Sequence, residues 1–310
     1  MKLKHKSLKG IITAVIALIT VFLCSVLYEQ GIITDELYLK LISAANTDIT
    51  SAELEVHFID VGQAECILIK APSKTVLIDC GEIGFEKEIE NHLRSNGVYA
   101  VDLFIATHPH SDHIGSASEL FKRFPVKEVL IPEIPEEFLP TTSLYEDLLN
   151  LLDKKNCNVS YAEDGLKFDL GDGAYLEVLG SRNYLGENLN NYSVVSKLCY
   201  GEYSFLFTGD SEEEIELMLL NEGVDLSATV FSAGHHGSNT SNGAAFLKAV
   251  GAKYAVISCG KNNDYGHPHK EVLKRFKNFN TEYYRTDYDG CVIFAVDEGK
   301  LTVKTENGGD

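Results

Sequence analysis

The stretch Asp102–Ser116, DLFIATHPHSDHIGS, decides how the rest of the chain is read. Its first half is a nearly continuous apolar run, the pattern of a strand buried on both faces. Its second half places three of the chain's ten histidines, and an aspartate, within six positions. His108 and His110 are two residues apart, so an extended backbone aims both side chains the same way. Asp112 and His113 follow after a turn. His-x-His spacing suits two imidazoles on one metal ion, and an Asp and a His just beyond can hold a second. Histidines placed by coincidence in a polar loop would account for His-x-His alone. They do not account for the full His-x-His-x-Asp-His set directly behind a buried strand.

Working outward, the same construction recurs. TVLIDCG ends in Asp79, YSFLFTGD in Asp210, and TVFSAGHHGS carries His235 and His236. A single aspartate behind a strand is an ordinary turn residue. Four strand ends that converge on ligand-type side chains make a site, and Asp210 has the position to bridge two ions. Around these ends the chain alternates. The strand-type runs LEVHFIDV, ECILIKA and KTVLIDCG precede a helical stretch from Phe85 to about Ser95. ASELFKRF and SLYEDLLNLLDKK have helical spacing, and KEVLIPE between them has that of a strand. Strands restart at LKFDLGD and run to YSFLFTGD, after which helices and strands alternate to the end. Two successive strand-rich halves without a Pro- or Ser-rich linker predict one α/β domain over residues 53–310. Its expected architecture is two mixed β-sheets packed face to face with helices outside.

The composition of the 310 residues is globular, 45% apolar and 24% charged, with a formal net charge of −19. Such a surface repels polyanions unless a basic patch or bound cations offset it, which counts against a nucleic-acid ligand. The first thirty residues run the other way. MKLKHKSLKG is basic and is followed by the uninterrupted apolar run Ile11–Tyr28. That length fits a single bilayer crossing with the lysines left cytoplasmic. Residues 1–30 are therefore expected to be a cytoplasmic tail and transmembrane signal-anchor, and residues 31–52 a juxtamembrane linker. The domain would then sit outside the cytoplasm, single-pass at the cell membrane. Secretion after signal cleavage is the alternative. No Cys-x-x-Cys pair occurs among the seven cysteines, so a thiolate zinc site is not expected.

The set of strand ends resembles the metallo-β-lactamase superfamily, which implies an αββα sandwich carrying one or two divalent metal ions, Zn or Mn, at the sheet edges. The resemblance implies His108 and His110 at a first metal, Asp112, His113 and His235 at a second, Asp210 between them, and Asp79 and Asp60 behind the ligands. A narrower resemblance is to the soluble nuclease-like domain of ComEC-type competence proteins. It is carried by HFIDVGQAECILI, LIDCG, THPHSDHIGS, NYSVVSKLCYGEYSFLFTGD, AGHHGSNTS, YAVISCG, YGHPHKEVL and YRTDYDGCVIF, over essentially all of residues 54–295. That branch usually has Gly-Gln-Gly-Asp where this chain has Gly62-Gln63-Ala64-Glu65. Its members also carry a many-helix channel, whereas one apolar span is present here.

Many superfamily members use a third histidine on the first metal, and this chain has none between His113 and His235. Fewer nitrogen ligands favour manganese or magnesium with phosphate oxygens. The expected function is an exported metal-dependent phosphodiesterase or nuclease, in which a hydroxide held between the metals attacks phosphorus. Asp112, His236 and His267 are the expected catalytic groups. Asn191, Ser193, Ser238 and Thr240 are the expected substrate contacts, the last two as phosphate-binding hydroxyls before a helix or simply as its caps. The expected partners are a phosphodiester, with DNA among the candidates, and the membrane through the N-terminal helix; no protein partner is evident. A small or cell-wall phosphodiester and a non-catalytic, metal-stabilised surface module are the alternatives.

Overall fold

The computed structural model describes residues 19–28, 30–34, 37–38, 41, 52–180, 184 and 186–308. The first sheet begins with β1 (Leu54–Phe58), β2 (Ile67–Lys70), β3 (Thr75–Ile78), β4 (Val101–Ile105), β5 (Val126–Ile131) and β6 (Asn158–Tyr161). The second contains β7 (Lys167–Gly171), β8 (Ala174–Gly180), β9 (Val195–Tyr200), β10 (Tyr203–Phe207), β11 (Val230–Ser232), β12 (Tyr254–Ile257) and β13 (Glu282–Arg285). The chain then returns to the first sheet with β14 (Val292–Asp297) and β15 (Lys300–Thr305). The strand orders are β15-β14-β1-β2-β3-β4-β5-β6 and β13-β12-β11-β10-β9-β8-β7.

Both sheets are mixed. Strands β3 to β6 pair in parallel, as do β10 to β13, and the remaining pairs are antiparallel. Parallel neighbours need long crossovers, and most of these are helical. The helices Glu86–Ser95, Ala117–Arg123 and Ser143–Lys154 cover the outer face of the first sheet, and Glu213–Glu222, Ala244–Val250 and Lys270–Asn278 that of the second.

This layering explains why the central strands are apolar throughout. In β4, Leu103 and Ile105 enter the core between the sheets, whereas Val101 and Phe104 pack under the helices. In β10, Phe205 and Phe207 face inward and Leu206 outward. Phe58 and Phe205 meet Phe294 edge-on, and Phe58 meets Phe207 at a tilt, at the centre of the sandwich. The architecture is the αββα sandwich expected from the sequence.

Three local features depart from the strand-and-helix pattern of the sequence. A single helical turn, Ser111–Ile114, lies inside the histidine loop, and another, Thr286–Asp289, interrupts the C-terminal strands. Segment Asn158–Tyr161, which has no strand pattern, pairs as the edge strand of the first sheet. An edge strand buries little, so its sequence is free of the apolar constraint.

Residues 19–28 of the N-terminal apolar run are helical, and residues 11–18 lie outside the described residues, as does most of 31–52. Among the described residues no helix is long and apolar enough to cross a membrane. Val21, Cys24 and Tyr28 pack with Tyr38 beside Tyr99, and Lys155 Nζ donates to the Tyr28 hydroxyl at 2.8 Å. The helix leaves Ile19, Phe22 and Leu23 exposed.

Candidate metal centre

All the ligand-type residues sit where strands of both sheets end at one edge of the sandwich. Asp79 follows β3, His108 to His113 follow β4, Asp210 follows β10, His235 and His236 follow β11, and His267 lies in the loop after β12. Side chains from both sheets thus meet in one place.

Asp210 is at the centre and is almost completely buried. Its Oδ1 lies 3.2 Å from His113 Nε2 and 3.7 Å from His236 Nε2. Its Oδ2 lies 3.9 Å from His108 Nε2 and 3.5 Å from His235 Nε2. His236 Nε2 is also 3.3 Å from Asp112 Oδ2. Asp112, His113, Asp210 and His236 each present a ligand atom within 4.8 Å of the others. On the Oδ2 side, His108 Nε2 and His110 Nδ1 face each other at 3.0 Å. The two oxygens of one carboxylate therefore address two separate groups of imidazoles.

The resemblance put His235 at the second metal and His236 among the catalytic groups, while the sequence itself left open which of the two is the ligand. In the structure His236 joins Asp112, His113 and Asp210 Oδ1, and His235 Nε2 lies by the other Asp210 oxygen. Both histidines have positive φ, 51° and 53°, and Gly237 follows at 79°. Three left-handed residues in a row turn the chain sharply, so the two neighbouring imidazoles diverge. A Cβ on Gly237 would meet the Pro268 ring at 2.6 Å. His236 Nδ1 donates to the Ser258 carbonyl at 2.9 Å, which leaves Nε2 directed at Asp112 and Asp210. His235 stays partly exposed, with Thr240 Oγ1 at 3.3 Å and Glu212 Oε1 at 3.5 Å from its Nδ1.

Behind the ligands, Asp79 accepts from the Thr107 amide at 2.8 Å, the Thr107 hydroxyl at 2.7 Å and His113 Nδ1 at 2.6 Å. That fixes the His113 tautomer and turns Nε2 toward Asp210, the usual arrangement behind a metal-bound histidine. Asp60 does not share this position. It is exposed and accepts from the Gly62 amide, because the chain turns away from the edge after β1.

The expected substrate contacts are also redistributed. Ser193 is buried, its hydroxyl 3.2 Å from His108 Nδ1, and it accepts from the Asp210 amide at 3.0 Å. Asn191 accepts from the Glu212 amide at 3.0 Å and donates to Glu214. Both therefore hold the ligand loops in place. Ser238 and Thr240 bond each other at 3.1 Å. The amides of Asn242 and Gly243, ahead of helix Ala244–Val250, donate to the Glu216 carboxylate at 2.6 and 2.8 Å. A carboxylate thus occupies the donors that a phosphate would have used. Asn190, Gln63 and Tyr265, which the sequence did not single out, border a cleft of about 310 Å³ with His110, Asp112, Asp210, His235, His236 and His267.

Do these residues fit a metal? Among the buried side-chain atoms that lack a hydrogen-bond partner in the described residues are three of this cluster: His113 Nε2, Asp210 Oδ1 and His236 Nε2. Orphaned buried polar atoms are costly. Here they are ligand atoms aimed at one another, and a divalent cation would satisfy all three. Burial alone would lower the His113 imidazole, but the carboxylates of Asp210, Asp79 and Asp112 outweigh it and raise its pKa well above the histidine range. The same opposition, with Asp210 and Asp112 prevailing, raises His236 to about 9. Burial and the neighbouring His113 instead push His108 well below the usual value. Without a cation, protons on His113 and His236 balance the carboxylates.

A metal must displace those two protons. Its affinity is therefore expected to climb as pH rises toward about 9, where His236 loses its proton unaided. At neutral pH about two protons should leave per occupied site group. Calorimetry in buffers of different ionisation enthalpy measures the number directly, and a value of zero would show that the imidazoles are already neutral.

A family model described as the metallo-beta-lactamase superfamily matches residues 59–261. The chain belongs to this superfamily. Among curated proteins it is 32% identical over 267 residues to ComE operon protein 3 of Bacillus subtilis, a ComEC-type competence protein, covering 79% of this chain and 33% of that one. It is 25% identical over 179 residues to a protein named Probable RNase MJ4 from Methanocaldococcus jannaschii, covering 55% of this chain and 40% of the other. The chain thus spans a third to two-fifths of the length of these relatives. The crystal structure of the metallo-beta-lactamase fold protein YhfI from Bacillus subtilis superposes with a TM-score of 0.50 at 12% identity, covering 81% of this chain and 99% of that one. This metallo-β-lactamase fold places the chain among metal-binding hydrolases, and its competence-protein relatives match the narrower resemblance drawn from its motifs.

Proposed function

We propose that this metallo-β-lactamase-fold chain is a metal-dependent phosphodiesterase that cleaves nucleic acid, held outside the cytoplasm by its N-terminal apolar run. The observation that carries the chemistry is the Asp210 carboxylate, which divides its oxygens between His108 and His235 on one side, with His110 beside His108, and His113 and His236 on the other, with Asp112 beside His236. His108, His110 and Asp210 would hold one divalent ion, and Asp112, His113, His236 and Asp210 another. Bound there, the ions supply Lewis-acid stabilisation of the charge on the phosphoryl oxygens. The relative named as a probable RNase is compatible with such a substrate.

The chain's own residues do the rest. Asp79 and the Ser258 carbonyl fix His113 and His236, so the ligand set is rigid before substrate arrives. Gln63 Oε1 accepts from the Gly260 amide at 2.9 Å, which turns its amide nitrogen to His267 Nδ1 at 3.4 Å. His267 Nε2 then carries the ring proton. Burial and the nearby His236 lower His267 to about 4, so it faces the cleft as a neutral donor. As a neutral N–H donor it is placed to hold a phosphoryl oxygen. The membrane placement rests on the lysine-rich residues 1–10 ahead of an apolar run.

The full chain, stripped of metal and resupplied with manganese, zinc or magnesium separately, tests this function. We expect cleavage of single-stranded DNA or RNA and of bis-p-nitrophenyl phosphate, and no opening of nitrocefin. Cleavage of nitrocefin without any diester cleavage would refute the assignment.

A further inference from the structure

We infer that Tyr265 is a stacking platform for a nucleobase, and that the substrate is consequently single-stranded nucleic acid engaged through its bases. The inference rests on the phosphodiesterase assignment and names the substrate class that the same cleft takes.

Three observations lead to Tyr265. It is the most exposed large apolar side chain among the described residues, at 69%, and it borders the cleft. Its inner face is stacked on His267, with ring centroids 5.6 Å apart and planes 26° apart. His267 lies in turn nearly parallel to His236, at 6.4 Å and 27°. Three rings therefore run in roughly one orientation from the ligand cluster to the mouth of the cleft, and the last shows its outer face to solvent. Tyr288, nearly as exposed, is covered differently, by the Arg285 guanidinium 4.3 Å from its ring centre.

The loop that displays Tyr265 is braced. Asn263 Nδ2 donates to the carbonyls of Gly260 at 2.9 Å and His267 at 2.6 Å, and Asn263 Oδ1 accepts from the His267 amide at 2.9 Å. Those bonds close the loop on both sides of the tyrosine, so the ring is presented with little ordering left to lose on binding. Bare aromatic faces beside a phosphate-accepting site are how proteins hold successive bases of a single strand, without preference among them.

The charge pattern of the cleft restricts how a strand can be held there. Among the described residues no lysine or arginine lines it, and the chain carries a net −19. Cationic tracking of a phosphate backbone, which makes binding steeply salt-dependent, is not available in the cleft. Affinity must come from the divalent ions on one phosphate and from the π-face beside it. A duplex keeps its bases stacked inside, away from Tyr265, whereas a splayed single strand offers them. A glycerol- or ribitol-based diester has no ring to offer.

The protein has no tryptophan, so the full-chain Tyr265→Trp variant carries a single tryptophan, excited selectively at long wavelength, at the platform. With magnesium present, we expect oligothymidylate to quench this tryptophan and an abasic oligonucleotide of equal length to leave it bright. Binding should weaken only shallowly with added salt. In steady-state hydrolysis of the oligonucleotide, Tyr265→Ala should raise KM roughly tenfold to a hundredfold, and Tyr265→Phe should retain the parent KM. Equal quenching by the abasic strand, or an unaltered KM in Tyr265→Ala, would overturn the inference. The two claims separate cleanly. Base-dependent quenching in a chain that hydrolyses no diester supports the platform and defeats the phosphodiesterase assignment. Diester hydrolysis with no base-dependent quenching defeats the platform alone.

Discussion

Replacing Asp210 by Asn is expected to lower diester kcat/KM by roughly a thousandfold or more, on the order of 4 kcal/mol of transition-state stabilisation. Among the described residues no other carboxylate is shared by both ligand groups. Oδ1 faces His113 and His236, and Oδ2 faces His108 and His235. Asparagine keeps the shape but offers one oxygen and no charge, so one group loses its ligand outright and the other loses electrostatic attraction. The metal-free protein should change too. The Asp210 carboxylate opposes the desolvation of His113 and His236, and without it both imidazoles should release their protons at lower pH. Metal titration should then show weaker binding and fewer protons released. Unaltered activity in a folded Asp210→Asn protein would remove Asp210 from the chemistry.

Asp79→Asn should lower metal affinity by about tenfold to a hundredfold and yet recover most of its kcat at saturating metal. Asp79 is fully buried and contributes no ligand atom to the Asp210 group. Its effect passes through His113, whose Nδ1 sits 2.6 Å from Oδ2, while Thr107 donates to both oxygens. An asparagine nitrogen cannot accept, so either His113 Nδ1–H or a Thr107 donor is left facing another N–H. One unsatisfied buried donor costs about 1–3 kcal/mol of stability. The recovery at high metal separates this residue from Asp210, for which saturation brings no rescue. A kcat that stays low at every metal concentration would place Asp79 in direct contact with the reacting groups.

The fold was largely legible because both sheets are covered on both faces. Continuous apolar runs such as DLFIA and YSFLF leave one interpretation, and the polar residue after each run must then lie at a sheet edge. The choice between His235 and His236 was not legible. Two successive left-handed residues erase the alternation that tells side-chain direction in a strand, and nothing in AGHHGS announces positive φ at histidine. Asn190 was missed in favour of its neighbour for a similar reason. The one-turn helix Leu189–Tyr192 puts Asn190 on the cleft and Asn191 against Glu212 and Glu214.

Glu65 is the most instructive omission. In the sequence, the Gly-Gln-Ala-Glu stretch stands out only by its departure from Gly-Gln-Gly-Asp. The structure buries that carboxylate within reach of Asp79 and His113 and gives it the Ser232 hydroxyl at 2.8 Å. Burial, with the Asp79 charge adding to it, raises Glu65 to about 7. Its one sequence signal was a carboxylate at the head of the apolar run ECILI, where a turn residue has no reason to be buried. Gln63, two residues earlier, went unnoticed because its role is to orient His267 across more than 200 residues of sequence.

Metal dependence measured on one sample is the most direct test of the account. The full chain and Asp210→Asn are each stripped of metal, checked for native fold by circular dichroism, and titrated with manganese while bis-p-nitrophenyl phosphate cleavage is followed. The account predicts an inactive metal-free protein, activity that rises with bound manganese in the parent chain, and none restored in Asp210→Asn. Equal cleavage by the metal-free parent, or full restoration in Asp210→Asn, would contradict it.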